Sequence, residues 1–440
     1  MVNRRVFLKS GTLALLALGL PPEFMRRSLL AETTAAGRRK TLICIFQRGA
    51  VDGLSMVVPF GEKAYYGKRS SIAIAQPGPD GALDLDGFFG LNPALAPLRD
   101  LYRRGELAIV HAVGSPDPTR SHFDAQDYME TATPGQKRTD GWLNRLLRET
   151  SSGCAECDGR TLKNPALHAA DHRVGQEKMA EAEEALRGIA LGAELPLSLR
   201  GPQPSLAIAD LDHFGIAGGR DPALESAFLN LYRTEQGDAV SGAAGEAFDA
   251  IRILQAANPA RYTPSPDAHY PPGEFGRSLR QIAQLVKADV GLEIAFADIG
   301  GWDTHFAQGG ASGQLARNLV QLAQGLRALH DDLGDRMRDV VVLTMSEFGR
   351  TVAENGSGGT DHGHANCMIV LGGEVKGGKV YGRWPGLEPE QLYQGRDLAV
   401  TTDFRDIFAE ITAKHLGARQ LERVFPGYAA NENAFKGVLA

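Results

Sequence analysis

The chain is poor in cysteine, with four among 440 residues, too few for a disulfide framework to hold it together. Cys44 and Cys367 fall inside apolar runs and are expected as small buried side chains. Cys154 and Cys157 lie in a polar loop, SSGCAECDGR, where a local disulfide or two free thiols are expected. A single CxxC pair is too little for structural zinc, and a redox centre would want a thioredoxin-like strand and helix around it. Blocks of positive charge are also missing. A formal charge of −6, with no dense Lys/Arg run interleaved with aromatics, argues against a nucleic-acid binder. No apolar run of about 18 residues follows the N-terminal segment, so no membrane span is expected in the mature protein. Hydrophobic residues make up 43% of the chain, ample for a full core, which excludes large-scale disorder.

The N-terminal segment reads as an address rather than as part of the fold. Asn3-Arg4-Arg5-Val6-Phe7-Leu8-Lys9 places paired arginines before a modest apolar stretch at residues 12–20, with small residues for cleavage near Thr34-Ala35-Ala36. It resembles a twin-arginine export signal; an ordinary secretory signal is the other reading. Residues 1–36 are therefore set aside, and 37–440 are expected as one domain, periplasmic or secreted, handled by the twin-arginine translocase during export.

Continuous apolar runs at 41–46, 107–113, 292–299, 339–345 and 367–371 predict strands of a mostly parallel sheet covered on both faces. Helical patterns fall between them. Residues 91–104 read as a helix opened by Asn92-Pro93; 275–288 carry Leu279, Ile282, Leu285 and Val286 on one side. Leu315, Leu319, Leu322, Leu326, Leu329 and Leu333 recur at spacings of four and three, one stripe of a long amphipathic helix with His330 near its end as a dipole partner. Asp403 reads as the N-cap of a helix that turns Phe404, Ile407, Phe408 and Ile411 inward. Residues 151–272 differ in texture, polar and Ala/Gly/Pro-rich, with helices expected at 176–189 and 223–256 and a strand at 205–209. They are expected as an inserted cap, and His168, His172, His213 and His269 within them share no ligand spacing.

Chemistry-bearing residues recur just past the predicted strands. Arg48 and Asp52 follow the first, Ser121-His122 the second, Asp303 and His305 the third, and Glu347 the fourth. Asp361, His362 and His364 precede a strand, on a loop long enough to reach back. In an open parallel sheet the strands' carboxyl ends share one edge, where ligands bind. Acids and imidazoles crowded there repel or titrate badly unless cations sit among them. A one- or two-metal site is therefore expected, with Asp52, His122, Asp303, His305, Glu347, Asp361, His362 and His364 as candidate ligands. Zinc, manganese, iron and calcium all suit such donors. Two ions about 3.5–4 Å apart would clamp the oxygens of a displacement at phosphorus or sulfur. Ser121, with Asp124 three residues on, fits a capping box, and a hydroxyl there also faces helix N–H groups that bind anions.

Arg48-Gly49 with Asp52-Gly53, Ser121-His122-Phe123, Gly301-Trp302-Asp303-Thr304-His305, Ser346-Glu347-Phe348-Gly349-Arg350, Asp361-His362-Gly363-His364, and the later Gly372-Gly373 and Gly377-Gly378 run in order along the chain. With these motifs the chain resembles the secreted bacterial family called domain of unknown function 1501, grouped with the alkaline phosphatase and sulfatase superfamily. The resemblance implies an alkaline phosphatase-like α/β fold with helices on both sides of the sheet, two divalent metals and a hydroxyl nucleophile. Asp52 then looks like the first metal Asp, and Ser121 like the nucleophile, ahead of Thr119. Asp303 and His305 stand where the superfamily has an Asp and a His three residues apart. Glu347-Phe348 replaces an Asp-His pair, so His362 or His364 would supply the missing imidazole. The expected activity is hydrolysis of phosphate or sulfate esters, on a small anionic or polysaccharide-type substrate, with Ser121 attacking and Arg48 holding oxyanion charge. The other expectation is a catalytically inactive, metal-stabilised binding or assembly protein of the cell envelope. A lyase, isomerase or transferase on the same crevice is a third, which product analysis would separate.

Overall fold

Every residue of the strand Thr41–Gln47 is buried, and its side chains serve opposite faces in alternation. Leu42, Cys44 and Phe46 join one apolar cluster, Ile43 and Ile45 another. A strand buried on both sides needs cover on both, and the rest of the chain supplies it. The computed structural model describes residues 39–151, 186–211 and 262–440. In chain order its strands are β1 (Thr41–Gln47), β2 (Val57–Val58), β3 (Leu83–Asp84), β4 (Gly90–Leu91), β5 (Leu107–Gly114), β6 (Gly188–Leu191), β7 (Leu206–Ala207), β8 (Ile294–Ile299), β9 (Val340–Met345), β10 (Asn366–Gly372), β11 (Val380–Tyr381) and β12 (Thr402–Asp403). The main sheet runs β11-β5-β10-β9-β1-β8-β6-β7 with β12 beside β5, while β2, β4 and β3 form a small antiparallel sheet.

All pairings in the main sheet are parallel except those of β10, which runs antiparallel to both β5 and β9. Reversing one strand has a consequence for the site. The start of β10 shares an edge with the carboxyl ends of β1, β5, β8 and β9, so the loop before β10 arrives there without reaching back.

Among the described residues five helices of ten residues or more frame this sheet: α1 (His122–Thr131), α2 (Trp142–Ser151), α3 (Glu274–Ala288), α4 (Gln314–Leu333) and α5 (Phe404–Lys414). The leucine stripe of α4 is buried from Leu315 to Leu333 and packs with Leu279 and Ile282 of α3 against Ile43, Ala295 and Val342. On the other face Trp142 of α2 stacks on Phe408 of α5 at 4.5 Å, over Phe46, Phe296 and Leu343. Each such large apolar side chain contributes about 1.5–3 kcal/mol by leaving water. Asp403 caps α5, accepting from the Arg405 N–H at 2.9 Å.

Three local expectations change. The helix expected over 91–104 starts as a 3-10 turn, Pro93–Leu98, because Pro97 lacks the N–H an α-helix needs, and becomes α only at Arg99–Arg103. Gly188 and Ile189, expected at the end of a helix, lie in β6. Together with β7 this strand extends the sheet beyond β8, so residues 188–191 and 206–207 belong to the sheet and not to a cover over it. His269 is exposed, and His330 bonds Glu106 at 2.6 Å. Cys44 and Cys367 are buried free thiols. The export signal, Cys154, Cys157, His168, His172, His213, the helix at 223–256 and most of that at 176–189 lie outside the described residues. No helix among the described residues is long and apolar enough to cross a membrane.

Candidate metal centre

Loops following β1, β5, β8 and β9, and the one preceding β10, meet at the shared edge, packed backbone against backbone. The Gly363 N–H donates to Gly349 O at 2.8 Å, and the Gly349 N–H to His364 O at 2.9 Å. A Cβ on Gly363 would come 2.3 Å from the carbonyl carbon of Arg350, so only glycine fits between these loops. Gly49 has φ +113°, and a Cβ there would lie 2.7 Å from the Asp303 nitrogen. These close approaches are why glycine accompanies the acids and imidazoles in the motifs.

The Oδ1 of Asp303 lies 3.6 Å from His122 Nε2 and 3.5 Å from His362 Nε2, and the three donor atoms are all within 4.8 Å of one another. His305 Nε2 stands beside two of them, 3.0 Å from Asp303 Oδ1 and 2.9 Å from His362 Nε2. Each imidazole is held at its other nitrogen by an acceptor. His122 Nδ1 faces Glu347 Oε1 at 2.8 Å, His362 Nδ1 faces the Arg120 carbonyl at 2.8 Å, and His305 Nδ1 faces Asp361 Oδ1 at 2.9 Å. An Nδ1 that donates leaves the Nε2 lone pair free, so the acceptors assign the tautomer that ligates a metal. His122 Nε2 is buried with no hydrogen-bond partner. Donors around a tetrahedral zinc with bonds near 2.05 Å are about 3.3 Å apart, close to the spacings seen here. The residues present therefore fit a divalent ion.

The electrostatics agree. Asp303, Glu347 and Asp361 surround the imidazoles, and Arg350 is the guanidinium bonded among them. It is buried and fully engaged, donating to Asp303 and to the carbonyls of Gly49, Ala50, Trp302 and Thr360. Burial works to raise the Asp303 carboxyl, but Arg350 holds it below its usual range. Glu347 is 1% exposed. Burial again works against its charge, yet hydrogen bonds from His122, Gln126 (3.0 Å) and the Gly49 N–H (2.8 Å) hold it low. The bond to Glu347 raises the His122 imidazole against the effect of burial, whereas burial lowers His362. Hydrogen bonds from His305 and Asn355 keep Asp361 ionised. Three carboxylates against one guanidinium leave an excess of negative charge that a cation would offset.

The other candidates lie elsewhere. Asp52, expected as the first metal ligand, sits in a buried ion pair instead: Arg69 Nη2 donates to Oδ1 at 3.0 Å, Arg69 Nη1 to Oδ2, and Gln308 Nε2 to Oδ2 at 2.7 Å. Both of its oxygens are taken. His364 is buried with its ring stacked on Tyr393 at 4.4 Å, so of the two alternatives it is His362 that brings an imidazole to the cluster. Glu347 and Asp361 stand behind the imidazoles as orienting acceptors. Ser121 is the N-cap of α1, its Oγ accepting from the Asp124 N–H at 3.5 Å, while its own N–H donates to Thr119 Oγ1. Arg48, expected on an oxyanion, lies over the Phe46 ring and is committed to Asp298 (2.7 Å), Glu130 (2.9 Å) and Gln126 (3.1 Å). Phe348 packs its ring against those of His122 and His362, each 5.0 Å away.

Two contributors were not singled out from the sequence. Arg350 lies inside the Ser346-to-Arg350 motif, but nothing in the motif says that its guanidinium points at Asp303. Gln126 had a readable signal: it follows His122 by four residues, which puts both on one face of α1. Its amide joins Arg48 to Glu347, so the contacts run Arg48, Gln126, Glu347, His122.

Among known proteins, no curated one matches this chain. The crystal structure of Ps i-CgsB in complex with k-i-k-neocarrahexaose is similar over 88% of this chain and 75% of that one, at 10% identity and a TM-score of 0.32. A likeness that loose carries no argument about this chain. The family described as "Protein of unknown function (DUF1501)" matches residues 108–425, which take in His122, Asp303, His305, Glu347, Arg350 and His362. With nearly three quarters of its length matched, the chain belongs to the DUF1501 family.

Proposed function

We propose that the protein is a metal-dependent hydrolase of phosphate or sulfate esters, with one divalent ion held by His122, Asp303 and His362 and flanked by His305. The observation that carries this reading is the meeting of the Nε2 atoms of His122 and His362 with Asp303 Oδ1, each imidazole anchored from behind. Three protein donors leave coordination positions for a substrate, as in catalytic rather than structural zinc sites. A bound ion would supply Lewis acidity and deprotonate a hydroxyl or water near neutral pH. The chain's own residues do the rest. Glu347 and the Arg120 carbonyl keep Nε2 of His122 and His362 turned inward; Arg350 keeps Asp303 ionised and in place. Ser121 presents a hydroxyl at the N-terminus of α1, next to His122, where the helix N–H groups and dipole favour an ester's negative charge.

Kinship with the alkaline phosphatase and sulfatase superfamily belongs to the same proposal, supported by the mostly parallel sheet and the gathering of donors at its carboxyl edge. Export is proposed from Arg4-Arg5 and the apolar stretch after them. The test is elemental analysis of the purified chain, joined to turnover of aryl phosphates, phosphodiesters and sulfates by the wild type, His362→Ala and Ser121→Ala. Stoichiometric metal and turnover, both lost in His362→Ala, are expected. Turnover that persists after metal is removed would overturn the proposal. Phe348, which holds the place of a second imidazole, favours a second reading: an envelope binding protein stabilised by metal. Full metal content with no turnover on the whole panel, unaltered by Ser121→Ala, would establish that one.

A further inference from the structure

Phe123 and Phe306 are 87% and 72% exposed, the large aromatic side chains most open to water among the described residues. They come from distant parts of the chain, yet each directly follows a cluster imidazole, His122 or His305. Consecutive Cα atoms are about 3.8 Å apart, so both rings are anchored within one peptide of a donor residue. A ring left in water has no role in the core, and an exposed aromatic ring one residue from a polar cluster is free to contact a molecule bound there.

The charged groups around the cluster say what kind of molecule that is. Arg350 is consumed by Asp303 and four carbonyls, and Arg48 by Asp298, Glu130 and Gln126. Arg120 is held by Asp397 and Gln394, and Arg396 by Asp397 and the His362 carbonyl. A substrate bearing several negative charges would need some of these guanidiniums, and each is already committed to an acceptor. One negative charge facing the metal, and an apolar remainder, suit the site better.

We infer that the site takes monoanionic esters, sulfates or phosphodiesters, whose leaving group carries a flat ring that rests on Phe123 and Phe306. The inference rests on the metal-dependent ester reading and names the substrate class for it. Both rings sit on the surface, so replacing them leaves the fold alone.

The experiment uses the full chain loaded with zinc, and calorimetric titration with two anions that cannot be hydrolysed, benzenesulfonate and methanesulfonate. Benzenesulfonate should bind about tenfold more tightly than methanesulfonate. Phe123→Ala and Phe306→Ala should each weaken benzenesulfonate about three- to tenfold, the worth of an aromatic contact, leave methanesulfonate unchanged, and keep the zinc content of the wild type. Equal affinity for the two anions, or variants that bind benzenesulfonate like the wild type, overturns the ring subsite while leaving the metal reading intact. A chain that takes up none of zinc, manganese, iron and calcium ends the metal reading, and the ring subsite falls with it. If the wild type elutes as a dimer and the Phe variants as monomers, the rings meet a second copy of the chain, and the inference is wrong.

Discussion

Replacing Glu347 by Gln tests whether the buried carboxylate orients His122 for a metal. Its Oε1 accepts from His122 Nδ1 at 2.8 Å, from the Gly49 N–H at 2.8 Å and from Gln126 at 3.0 Å, and Oε2 accepts from Ser346 at 3.1 Å. An amide of the same shape can place its oxygen at Oε1 and its NH2 toward Ser346, so the fold should survive. What disappears is the charge that holds the imidazole and raises its basicity. Loss of such an outer partner typically costs 10–100-fold in metal affinity, about 1.4–2.7 kcal/mol. Zinc at one hundred times the wild-type Kd should stabilise the wild type by about 2.7 kcal/mol. A Kd thirtyfold weaker leaves about 0.9 kcal/mol at the same concentration. Without zinc the variant should be somewhat less stable than the wild type at neutral pH, since the fold holds this carboxylate below its usual pKa and the charge it favours has been removed. Thermal unfolding with and without zinc, backed by calorimetric Kd values, reads both quantities. A variant Kd within twofold of the wild type would refute the orienting role, and so would an equal zinc-induced rise in Tm.

Other perturbations separate the fold from the site. His111 is buried, its Nδ1 accepting from the Ala112 N–H at 2.9 Å and its Nε2 facing Val57 O at 3.0 Å, so a second proton would meet a donor. Burial pushes its pKa down to about 4 from 6.5. The unfolded chain takes up that proton first, so stability should fall by about 3 kcal/mol as pH drops from 6.5 to about 4, and be level above that range. Denaturant midpoints measured across pH check this, and His111→Gln should flatten the profile. Asp52→Asn leaves Arg69 buried beside a neutral amide and should cost about 3–5 kcal/mol without lowering zinc affinity; a metal-binding defect would return Asp52 to the site. Gly363→Ala forces the loops carrying Arg350 and His362 apart, and should lower zinc affinity more than it lowers Tm in the metal-free chain, as calorimetry and thermal unfolding would show.

The strands were legible because a sheet buried on both faces demands continuous apolar runs, and 41–46, 107–113 and 339–345 have no other reading. Their direction was not. Nothing in Asn366–Gly372 distinguishes an antiparallel strand, so His362 was expected to reach back over a loop when strand reversal delivers it. His122, Asp303, His305 and His362 could be read from their place beside strand ends. The sorting of ligand from orienting acceptor could not, because Glu347 and Asp361 carry the same donor atoms as Asp303 and differ only in what lies behind them. Arg69 was invisible for a similar reason. An arginine in KRSS announces no partner, and its claim on Asp52 exists only once the chain folds back after Gly53–Met56.

That claim bears on how many ions the edge can hold. A carboxylate at the end of β1 is costly to bury, and either a cation or a guanidinium can offset that cost. Here Arg69 meets both oxygens of Asp52 from within the fold, and Gln308 adds a third donor. A second ion would have to displace a bidentate pair whose partners are both buried, and the Phe348 ring packed against His122 and His362 offers it no donor. The charge that would call for a second metal is thus already neutralised by protein. The remaining excess sits with Asp303, Glu347 and Asp361, around one cluster of imidazoles, and one divalent ion is enough to balance it. Titration with zinc should accordingly saturate at one equivalent per chain. A second equivalent of comparable affinity, abolished by Asp52→Asn, would show that Arg69 yields its partner and that the site is binuclear.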